Sequence, residues 1–335
     1  MQNPHAYCTY FDSGYLSRGV TLIASLRAHG DDSPVWIMAL DDIARDYLMD
    51  AAIPGVHVIS VAALEAVIPE LGPLRATRSR MEYYFTCTPL LIRYVMDQAA
   101  SGTAVIYLDA DLYFFDDPSA VLTAMGSSSV GIIEHKYPTR LQRRLAKYGR
   151  FNVGWVGFAD DAEGRAVLDF WGSSTLEWCS DTPQDGKYAD QGYLDRFPAF
   201  PGVAVLPSPG MNLAPWNTSG HNLGTDARGT VLVGDAPLVF FHFHGLKRSG
   251  RWWISAQLVY GAGMGAVLRD HVYRPYIEHL ERVASVIADS PLAPPTAISK
   301  RGVGLRGVVF RAQASVIKGV AILTRSALPA GRASR

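Results

Sequence analysis

Short apolar segments alternate with longer mixed segments over the first 110 of the 335 residues, and this alternation allows few architectures. The apolar runs are rich in Val, Ile and aromatic residues and predict strands, whereas the mixed segments predict helices. Strands that alternate with helices build an α/β fold, in which helices flank a central, mostly parallel sheet. The predicted strands are residues 5–10, 35–40, 56–60 and 104–108, and the predicted helices are 15–29 (capped by Asp12 and Ser13), 43–52 (capped by Asp41) and 81–100 (interrupted near Pro89).

The pattern becomes mixed after Pro118, and the chain divides near residue 290. Segment 290–295 (SPLAPP) has three prolines in six residues, which indicates a linker. We therefore expect a main domain over residues 1–289, a Pro-rich linker over 290–296 and a basic tail over 297–335. Further strand patterns cover 130–135, 151–158 and 238–244, and further helix patterns cover 162–178 and 188–197.

The net charge of zero hides an uneven distribution. From Lys300 to the end there are eight Lys or Arg residues and no Asp or Glu, whereas the preceding 299 residues carry 23 basic and 31 acidic residues, a net charge of −8. Nucleic-acid binding depends on neutralising phosphates, so an acidic body of this kind argues against that function.

Neither a secretory nor a membrane-spanning segment is expected. The N-terminal residues lack a basic start followed by an apolar run, and no apolar run approaches the roughly 18 residues that a transmembrane helix needs. The three cysteines, Cys8, Cys87 and Cys179, are widely spaced and odd in number. This argues against a disulfide framework or a zinc cluster and fits a reducing cytoplasm.

The strongest chemical signal is YLDADLYFFDDP, residues 107–118. Asp109 and Asp111 follow an apolar strand, and side chains two residues apart on an extended chain point to the same side. Both carboxylates can therefore face one divalent cation, which prefers oxygen ligands and leaves positions for phosphate oxygens. Capping or turn aspartates are the alternative, but ligands of α/β sheets bind beyond the carboxyl ends of strands, which favours the metal site.

Four segments, taken in order, resemble glycosyltransferases of the GT-A fold, in particular glycosyltransferase family 8, which includes glycogenin and bacterial lipopolysaccharide galactosyltransferases. After the D-x-D segment, FNVGWVGF (151–158), ADQGYL (189–194) and HFHGLK (242–247) resemble that family's F-N-x-G, D-Q-x-x-L and H-x-x-G-x-x-K segments. NLAPWN (212–217) also recurs in related bacterial surface-polysaccharide glycosyltransferases. The resemblance implies a GT-A, Rossmann-like nucleotide-diphospho-sugar transferase fold, to which this chain adds a C-terminal helical extension.

The same resemblance implies a metal site for Mn²⁺ or Mg²⁺. Its ligands would be Asp109, Asp111 and His242. His244 is the competitor for the third position, because it lies on the same side of a strand as His242.

The diphosphate contact stays open between three basic residues. Lys247 matches the family's lysine in type but sits one residue earlier in the chain. Arg248 or Arg251 could take its place.

The remaining donor-site residues follow from the resemblance as well. Asn152, Asp190 and Gln191 would contact the transferred sugar, and Asp190 with Gln191 would flank the reaction centre. For each of them a structural role in a turn, a strand edge or a helix start is the alternative. The full set implied for the nucleotide sugar is Tyr7, Cys8, Thr9, Tyr10 (or Phe11, stacking on the base), Arg80, Asp109, Ala110, Asp111, Asn152, Asp190, Gln191, Trp216 and Lys247.

The implied activity is metal-dependent transfer of a sugar from a nucleotide sugar, with UDP as the expected nucleotide, to a glycan or lipid-linked acceptor in cell-surface polysaccharide synthesis. Retention of the anomeric configuration is implied, whereas Asp190 acting as a base would give inversion. A nucleotidyltransferase of similar fold stays open, although residues 10–20 lack its Gly-rich phosphate loop. A non-catalytic, sugar-nucleotide-binding scaffold stays open too, although it would be expected to have lost a metal ligand.

The tail predicts an amphipathic helix. The arrangement of apolar and basic residues on this helix suits peripheral contact of residues 300–325 with the anionic inner face of the cytoplasmic membrane. Docking on the protein's own acidic body, or a lack of regular structure favoured by the tail's glycines, are the alternatives. On a helical wheel the apolar residues within about 60° of one line are Leu305, Val308, Val309, Ala312, Val316, Val320 and Leu323, and the opposite basic residues are Arg311, Lys318 and Arg325.

Overall fold

A computed structural model describes residues 4–184, 186–207, 209–294, 319–324 and 326–331. The strands are β1 (His5–Phe11), β2 (Val35–Ala39), β3 (Val56–Ser60), β4 (Ala104–Leu108), β5 (Leu112–Phe114), β6 (Val130–Glu134), β7 (Phe151–Phe158), β8 (Val203–Val205), β9 (Leu223–Thr225), β10 (Val231–Val233), β11 (Ala236–Pro237), β12 (Phe240–His242), β13 (Lys247–Ser249), β14 (Trp252–Ile254) and β15 (Ala327–Pro329). The α-helices are α1 (Leu16–Ala28), α2 (Asp42–Ala51), α3 (Val61–Val67), α4 (Leu71–Leu74), α5 (Arg80–Gln98), α6 (Ser119–Met125), α7 (Leu145–Tyr148), α8 (Ala162–Glu177) and α9 (Arg274–Ala288). Short 3-10 helices cover Thr139–Arg144, Gln191–Ala199, Thr218–Gly220 and Gln257–Tyr260, and a π-helix, Leu268–Tyr273, leads into α9.

Seven strands form the central sheet in the order β3-β2-β1-β4-β7-β6-β8. The first four strands of that order are parallel to one another, and β7 runs antiparallel to both β4 and β6. The mostly parallel α/β class predicted from the sequence is therefore confirmed. The carboxyl ends of β1 and β4 lie side by side at the same edge, which is the edge where ligands bind in such sheets.

Helices cover both faces of the sheet, as near-continuous apolar strands require. On one face α5 and α8 bury Leu91, Val95 and Trp171 against the strands. On the other face α1, α2, α6 and α9 form a second core, which contains Leu22 and Leu48. Each such side chain contributes about 1.5–3 kcal/mol when fully buried, so these layers hold the sheet edge rigid.

Two helix starts show why the strand–helix order is stable. Asp41 caps α2 as predicted, since its Oδ1 accepts a hydrogen bond from the Ala44 amide at 2.8 Å. Ser79 and Glu82 form a reciprocal capping box at the start of α5. The predicted caps of α1 are wrong: that helix begins after Tyr15 with no side-chain cap, because Ser13 donates to Asp41 and Asp12 accepts from Gly14.

Helix α5 runs unbroken through Pro89, where the sequence predicted an interruption. Proline removes one helix hydrogen bond and crowds the preceding turn. Here the residues around it are fully packed: Pro89 lies in a run of buried positions that continues through Leu90, Leu91 and Ile92. Burial of that run offsets the lost hydrogen bond, and the helix keeps its course.

A second, two-stranded sheet joins distant parts of the chain beside the central one. β5 pairs antiparallel with β12, so that Leu112 faces His242. β12 is shorter than the predicted strand over 238–244, because Gly245 turns the chain with φ 69°. The predicted helix over 188–197 is likewise a 3-10 helix that starts at Gln191 and includes Pro198.

The described end of the chain packs on the main domain. β15 adds to β14 in the three-stranded sheet β13-β14-β15, and Leu328 there is 3% exposed. The predicted linker is described only as far as residue 294, and the apolar stripe from Leu305 to Val316 lies outside the described residues. Residues 319–323 are helical, with Ala321 buried and Leu323 exposed. No helix within the described ranges is long and apolar enough to cross a membrane.

Candidate active site

The carboxylate pair lies in the turn that follows β4. The Asp109 amide donates to the Gly154 carbonyl oxygen, and the Asp111 carbonyl oxygen accepts from the Phe243 amide, both at 2.9 Å. These bonds anchor the turn to β7 on one side and to the end of β12 on the other. Nε2 of His242 consequently lies 3.0 Å from Oδ1 of Asp111 and 3.6 Å from Oδ2 of Asp109.

These three side chains can hold a metal ion. One ligand atom from each of Asp109, Asp111 and His242 falls within 4.8 Å of the others. Two carboxylates and one imidazole suit a divalent cation such as Mn²⁺ or Mg²⁺, and three protein ligands leave coordination positions open. The donor set therefore fits the metal that the sequence resemblance implied, with His242 rather than His244 against both carboxylates.

Burial and mutual charge decide the protonation of this cluster. Burial disfavours the charged form of both carboxyl groups. For Asp109 it raises the pKa. For Asp111 the charge and hydrogen bond of His242 outweigh burial and lower the pKa to about 2. A bound cation would supply the positive charge that this buried pair requires.

Asn152 on β7 holds the other nitrogen of the His242 ring. Its Oδ1 lies 3.3 Å from His242 Nδ1 and accepts hydrogen bonds from Asn212 Nδ2 at 3.1 Å and from the Gly154 amide at 3.2 Å. With Oδ1 as acceptor, Nδ1 carries a hydrogen, and Nε2 faces the carboxylates. Carbonyl partners of this kind orient metal-binding histidines in many proteins.

Gly154 leaves room for this arrangement. A Cβ atom at this position would lie 2.7 Å from His242 Nδ1 and 2.7 Å from Asn152 Oδ1. No side chain fits there without moving one of these groups. The first glycine of FNVGWVGF thus allows close packing against the histidine.

Asp190 and Gln191 lie on the same side of the site as Asn152. Asn152 Nδ2 donates to Gln191 Oε1 at 3.1 Å, and Gln191 Nε2 donates to the Tyr148 carbonyl oxygen at 2.7 Å. Asp190 is 4% exposed, and burial raises its pKa to about 7. It immediately precedes the 3-10 helix that starts at Gln191.

A cavity of about 290 Å³ opens over these groups. Its floor carries the acidic and amide side chains just described, and its outer wall is mostly tyrosine. The lining residues are Tyr10, Phe85, Asp109, His135, Tyr137, Arg144, Tyr148, Asn152, Val153, Tyr188, Ala189, Asp190, Gln191, Trp216, His242, His244 and Tyr260.

The predicted nucleoside-binding residues on β1 divide in two. Tyr10 lines the cavity, and its hydroxyl lies 3.1 Å from Thr88 Oγ1. Tyr7, Cys8 and Thr9 are at most 2% exposed, and the Tyr7 hydroxyl donates to Asp31 at 2.6 Å. The structure brings only the last of these four side chains to the cavity, because both faces of β1 are covered by helices.

The basic candidates lie at the surface around the site. Arg80 at the start of α5 is 72% exposed in its side chain and approaches Asp12 at 3.8 Å. Lys247 begins β13 and is exposed, whereas Arg248 and Arg251 pack over the rings of Trp253 and Trp252. Ala110 is buried in the turn between the two aspartates.

Trp216 of NLAPWN packs beside His242, one of the three candidate metal ligands. Its ring centroid lies 5.1 Å from that of His242, and its Nε1 donates to the His135 carbonyl oxygen at 3.0 Å. The ring is 3% exposed yet lines the cavity. Asn212 and Asn217 are buried in hydrogen bonds that shape this segment.

Arg18 on α1 was missed by the sequence analysis. Its Nη2 donates to the Leu246 carbonyl oxygen at 2.8 Å, immediately before Lys247. Its positive charge is among the influences that lower the pKa of Asp111 against the effect of burial. The only sequence signal was a basic residue in the first turn of the helix after β1, which is too common to single out.

Sequence comparison relates the chain to proteins of Bacillus subtilis (strain 168). It is 34% identical over 252 residues to the uncharacterized protein YfnF, a match that covers 72% of this chain and 82% of YfnF. The chain belongs to the YfnF family. The uncharacterized protein YfnD, from the same organism, is 29% identical to this chain over 280 residues. That match covers 82% of this chain and 88% of YfnD. No protein-family model matches the sequence.

Structure comparison identifies the fold. An active-site mutant of LgtC superposes with a TM-score of 0.52 at 16% identity, covering 84% of this chain and 95% of LgtC. A second LgtC structure, described as the galactosyltransferase in complex with donor and acceptor sugar analogues, has a TM-score of 0.46 at 17% identity and covers 72% of this chain and 87% of that one. The first match shows that this YfnF relative has the GT-A glycosyltransferase fold that the sequence resemblance implied.

Proposed function

We propose that this protein is a metal-dependent glycosyltransferase that transfers a sugar from a nucleotide sugar, expected to be a UDP-sugar, to a glycan or lipid-linked acceptor of cell-surface polysaccharide synthesis. The observation that carries the proposal is the cluster of Asp109, Asp111 and His242 at the ligand-binding edge of a GT-A sheet, facing a cavity. LgtC, which shares the fold, is described as a galactosyltransferase in complex with donor and acceptor sugar analogues.

Mn²⁺ or Mg²⁺ held by these three ligands would neutralise the diphosphate that leaves as the sugar bond breaks. Asn152 would keep His242 in the tautomer that presents Nε2. Lys247 would approach the diphosphate from the loop that Arg18 ties to α1. Tyr10 would pack against the donor from the cavity wall.

Asp190 and Gln191 would lie beside the transferred sugar. A carboxyl group with its pKa near 7 can accept or give a proton at neutral pH. Gln191 is held by bonds to Asn152 and to Tyr148, which supports a fixed amide for orienting the sugar. We propose transfer with retention, in keeping with the resemblance to family 8.

The two other functions receive less support. A scaffold without activity does not need an intact set of three metal ligands with an oriented histidine. A nucleotidyltransferase would bind phosphate with a Gly-rich loop after its first strand, whereas β1 here is followed by the turn of residues 12–15, which contains one glycine.

The test measures the binding of UDP and UDP-sugars in the presence of Mn²⁺ or of EDTA, by thermal shift and by calorimetry. A ligand that binds the folded state raises the melting temperature by mass action, so we expect stabilisation in Mn²⁺ and little in EDTA. Asp109→Asn and Asp111→Asn should abolish the stabilisation, and Asp117→Asn, at an exposed position after β5, is the matched control. Equal binding in EDTA and Mn²⁺ would contradict the proposal.

A further inference from the structure

The outer wall of the cavity carries a positive charge that the metal chemistry does not use. Arg144 ends the 3-10 helix Thr139–Arg144, lines the cavity and is half-buried. Within the described ranges it forms no ion pair with a carboxylate. Its guanidinium therefore has no carboxylate partner among the described residues, which leaves its N–H groups available to an anionic ligand.

Tyrosine rings frame this guanidinium. Its Cζ lies 4.9 Å from the ring centroid of Tyr260 and 5.9 Å from that of Tyr148, and Tyr148 packs edge-on against Tyr188 at 4.9 Å. Burial raises the pKa of Tyr260, and the charge of Arg144 opposes that rise, as expected for a charge that faces the ring. Aromatic packing restricts the guanidinium while its N–H groups stay available for hydrogen bonds.

Among the described residues, Arg144 forms no ion pair with the candidate metal ligands, and it contacts them only through intervening side chains. Successive ring contacts lead from His242 to Trp216 at 5.1 Å, from Trp216 to Tyr260 at 6.1 Å, and from Tyr260 to Arg144. Two aromatic side chains thus separate the guanidinium from the metal cluster in this series. A diphosphate bound through the metal would lie beside Asp109 and Asp111, and an anion on Arg144 would lie beside Tyr148 and Tyr260.

The surrounding segment is strongly basic within an acidic body. Residues 135–150 contain six Lys or Arg and no Asp or Glu. Arg140 ties this segment to the cavity wall, because its Nη2 donates to the carbonyl oxygens of Tyr260 and Gly261 at 2.9 and 3.0 Å. Arg143 and Lys147 line a separate groove on the other side of the segment.

We propose that Arg144 forms an anion-binding subsite, which selects an acceptor that carries a phosphate or a carboxylate next to the sugar that receives the transferred group. The tyrosines would pack on the acceptor sugar, and the guanidinium fork would bind the anion bidentately. This inference rests on the proposed function and names its acceptor class. A phosphate would come from a lipid-linked glycosyl phosphate, and a carboxylate would come from an acidic glycan.

The test compares a neutral glycoside with two anionic derivatives of the same sugar, one that carries a carboxylate and one that carries a phosphate. Methyl glucoside, methyl glucuronoside and glucose 1-phosphate, with the galactose series alongside, are titrated calorimetrically into the protein saturated with UDP and Mg²⁺. We expect at least one anionic probe to bind about tenfold or more tightly than its neutral counterpart. Arg144→Ala should remove that preference, and Arg143→Ala, the adjacent arginine facing the other groove, should retain it. The preferred probe identifies phosphate or carboxylate as the anion.

Affinity for UDP in Mg²⁺ is measured on the same variants. Unchanged affinity in Arg144→Ala, with the anion preference lost, supports the acceptor subsite. Reduced UDP affinity in Arg144→Ala would assign the residue to the donor diphosphate and overturn the inference. Equal or absent binding of charged and neutral probes, or equal losses in both arginine variants, would also overturn it. Failure of the wild type to bind UDP with the metal would instead contradict the proposed function.

Discussion

At the scale of single residues, the three candidate metal ligands depend on Asn152, a neighbour that is not itself among the ligands. Asn152 Oδ1 accepts from three donors, among them His242 Nδ1, and this leaves that oxygen little capacity for a sugar. We expect Asn152→Ala to lower Mn²⁺ affinity about 10- to 100-fold, as loss of a partner behind a metal-binding histidine does elsewhere. Calorimetric titration of Mn²⁺ measures this without donor or acceptor.

Asn152→Asp is the conservative comparison. It keeps an acceptor for His242 Nδ1 and should retain most of the Mn²⁺ affinity, although it loses the hydrogen bond to Gln191. Unchanged Mn²⁺ affinity in a folded Asn152→Ala variant would show that the asparagine does not position the histidine.

Asp190 gives a prediction about pH at the same scale. Its folded-state pKa is raised by burial to about 7, whereas the unfolded carboxyl titrates near 4. Between these values the folded state binds the extra proton, so this group makes the protein less stable as pH rises from about 4 to 7. Asp190→Asn should remove that contribution and become more stable than the wild type toward pH 8.

Urea unfolding of both proteins without metal, at several pH values, measures the difference. The difference in unfolding free energy should grow from pH 4 to 7 and then level off. A constant difference across this range would mean that Asp190 is ionised in the folded protein.

At the scale of elements, two pairings assemble the site: β4 with β7, and β5 with β12. Gly154, the first of the two glycines in β7, lies where they meet, so Gly154→Ala forces a methyl group against His242 and Asn152. We expect a loss of about 1–3 kcal/mol in unfolding free energy, together with weaker Mn²⁺ binding.

Gly224→Ala in β9 is the matched control, since a Cβ there has nothing within 4 Å. It should change neither stability nor metal affinity appreciably. If Gly154→Ala binds Mn²⁺ like the wild type, the close approach of β7 to the histidine is not needed for the site.

At the scale of the whole molecule, the end of the chain bears on membrane contact. β15 packs on β14, so deletion of residues 297–335 would remove part of a sheet together with the basic segment. Replacement of Lys300, Arg301, Arg306, Arg311 and Lys318 by Gln is the cleaner variant. We expect the full-length protein to sediment with anionic liposomes at low salt and this variant to stay in the supernatant, because each basic residue contributes about 1 kcal/mol near such a surface.

Neutral liposomes and added salt are the controls, since screening weakens electrostatic binding. Sedimentation of the variant to the same extent as the wild type would exclude the basic residues as the cause. Wild-type protein that stays in the supernatant with every liposome would contradict membrane contact.

The sequence by itself determined the α/β class, because strand and helix periodicity is a local property of the chain, and it singled out Asp109 and Asp111. The two carboxylates come together in a turn after β4 rather than on the extended chain that the i, i+2 argument assumed. The family resemblance also left two histidines of one predicted strand as candidates for a third metal ligand. Tertiary structure decided between them: the register of β12 against β5 brings His242 to the carboxylates, and the turn at Gly245 carries the chain away. The roles of Asn152 and Arg144, and the burial of Tyr7 and Cys8, likewise depend on contacts between segments far apart in sequence. Local pattern cannot specify such contacts, since they form only when the sheet, its helices and the second strand pair pack together.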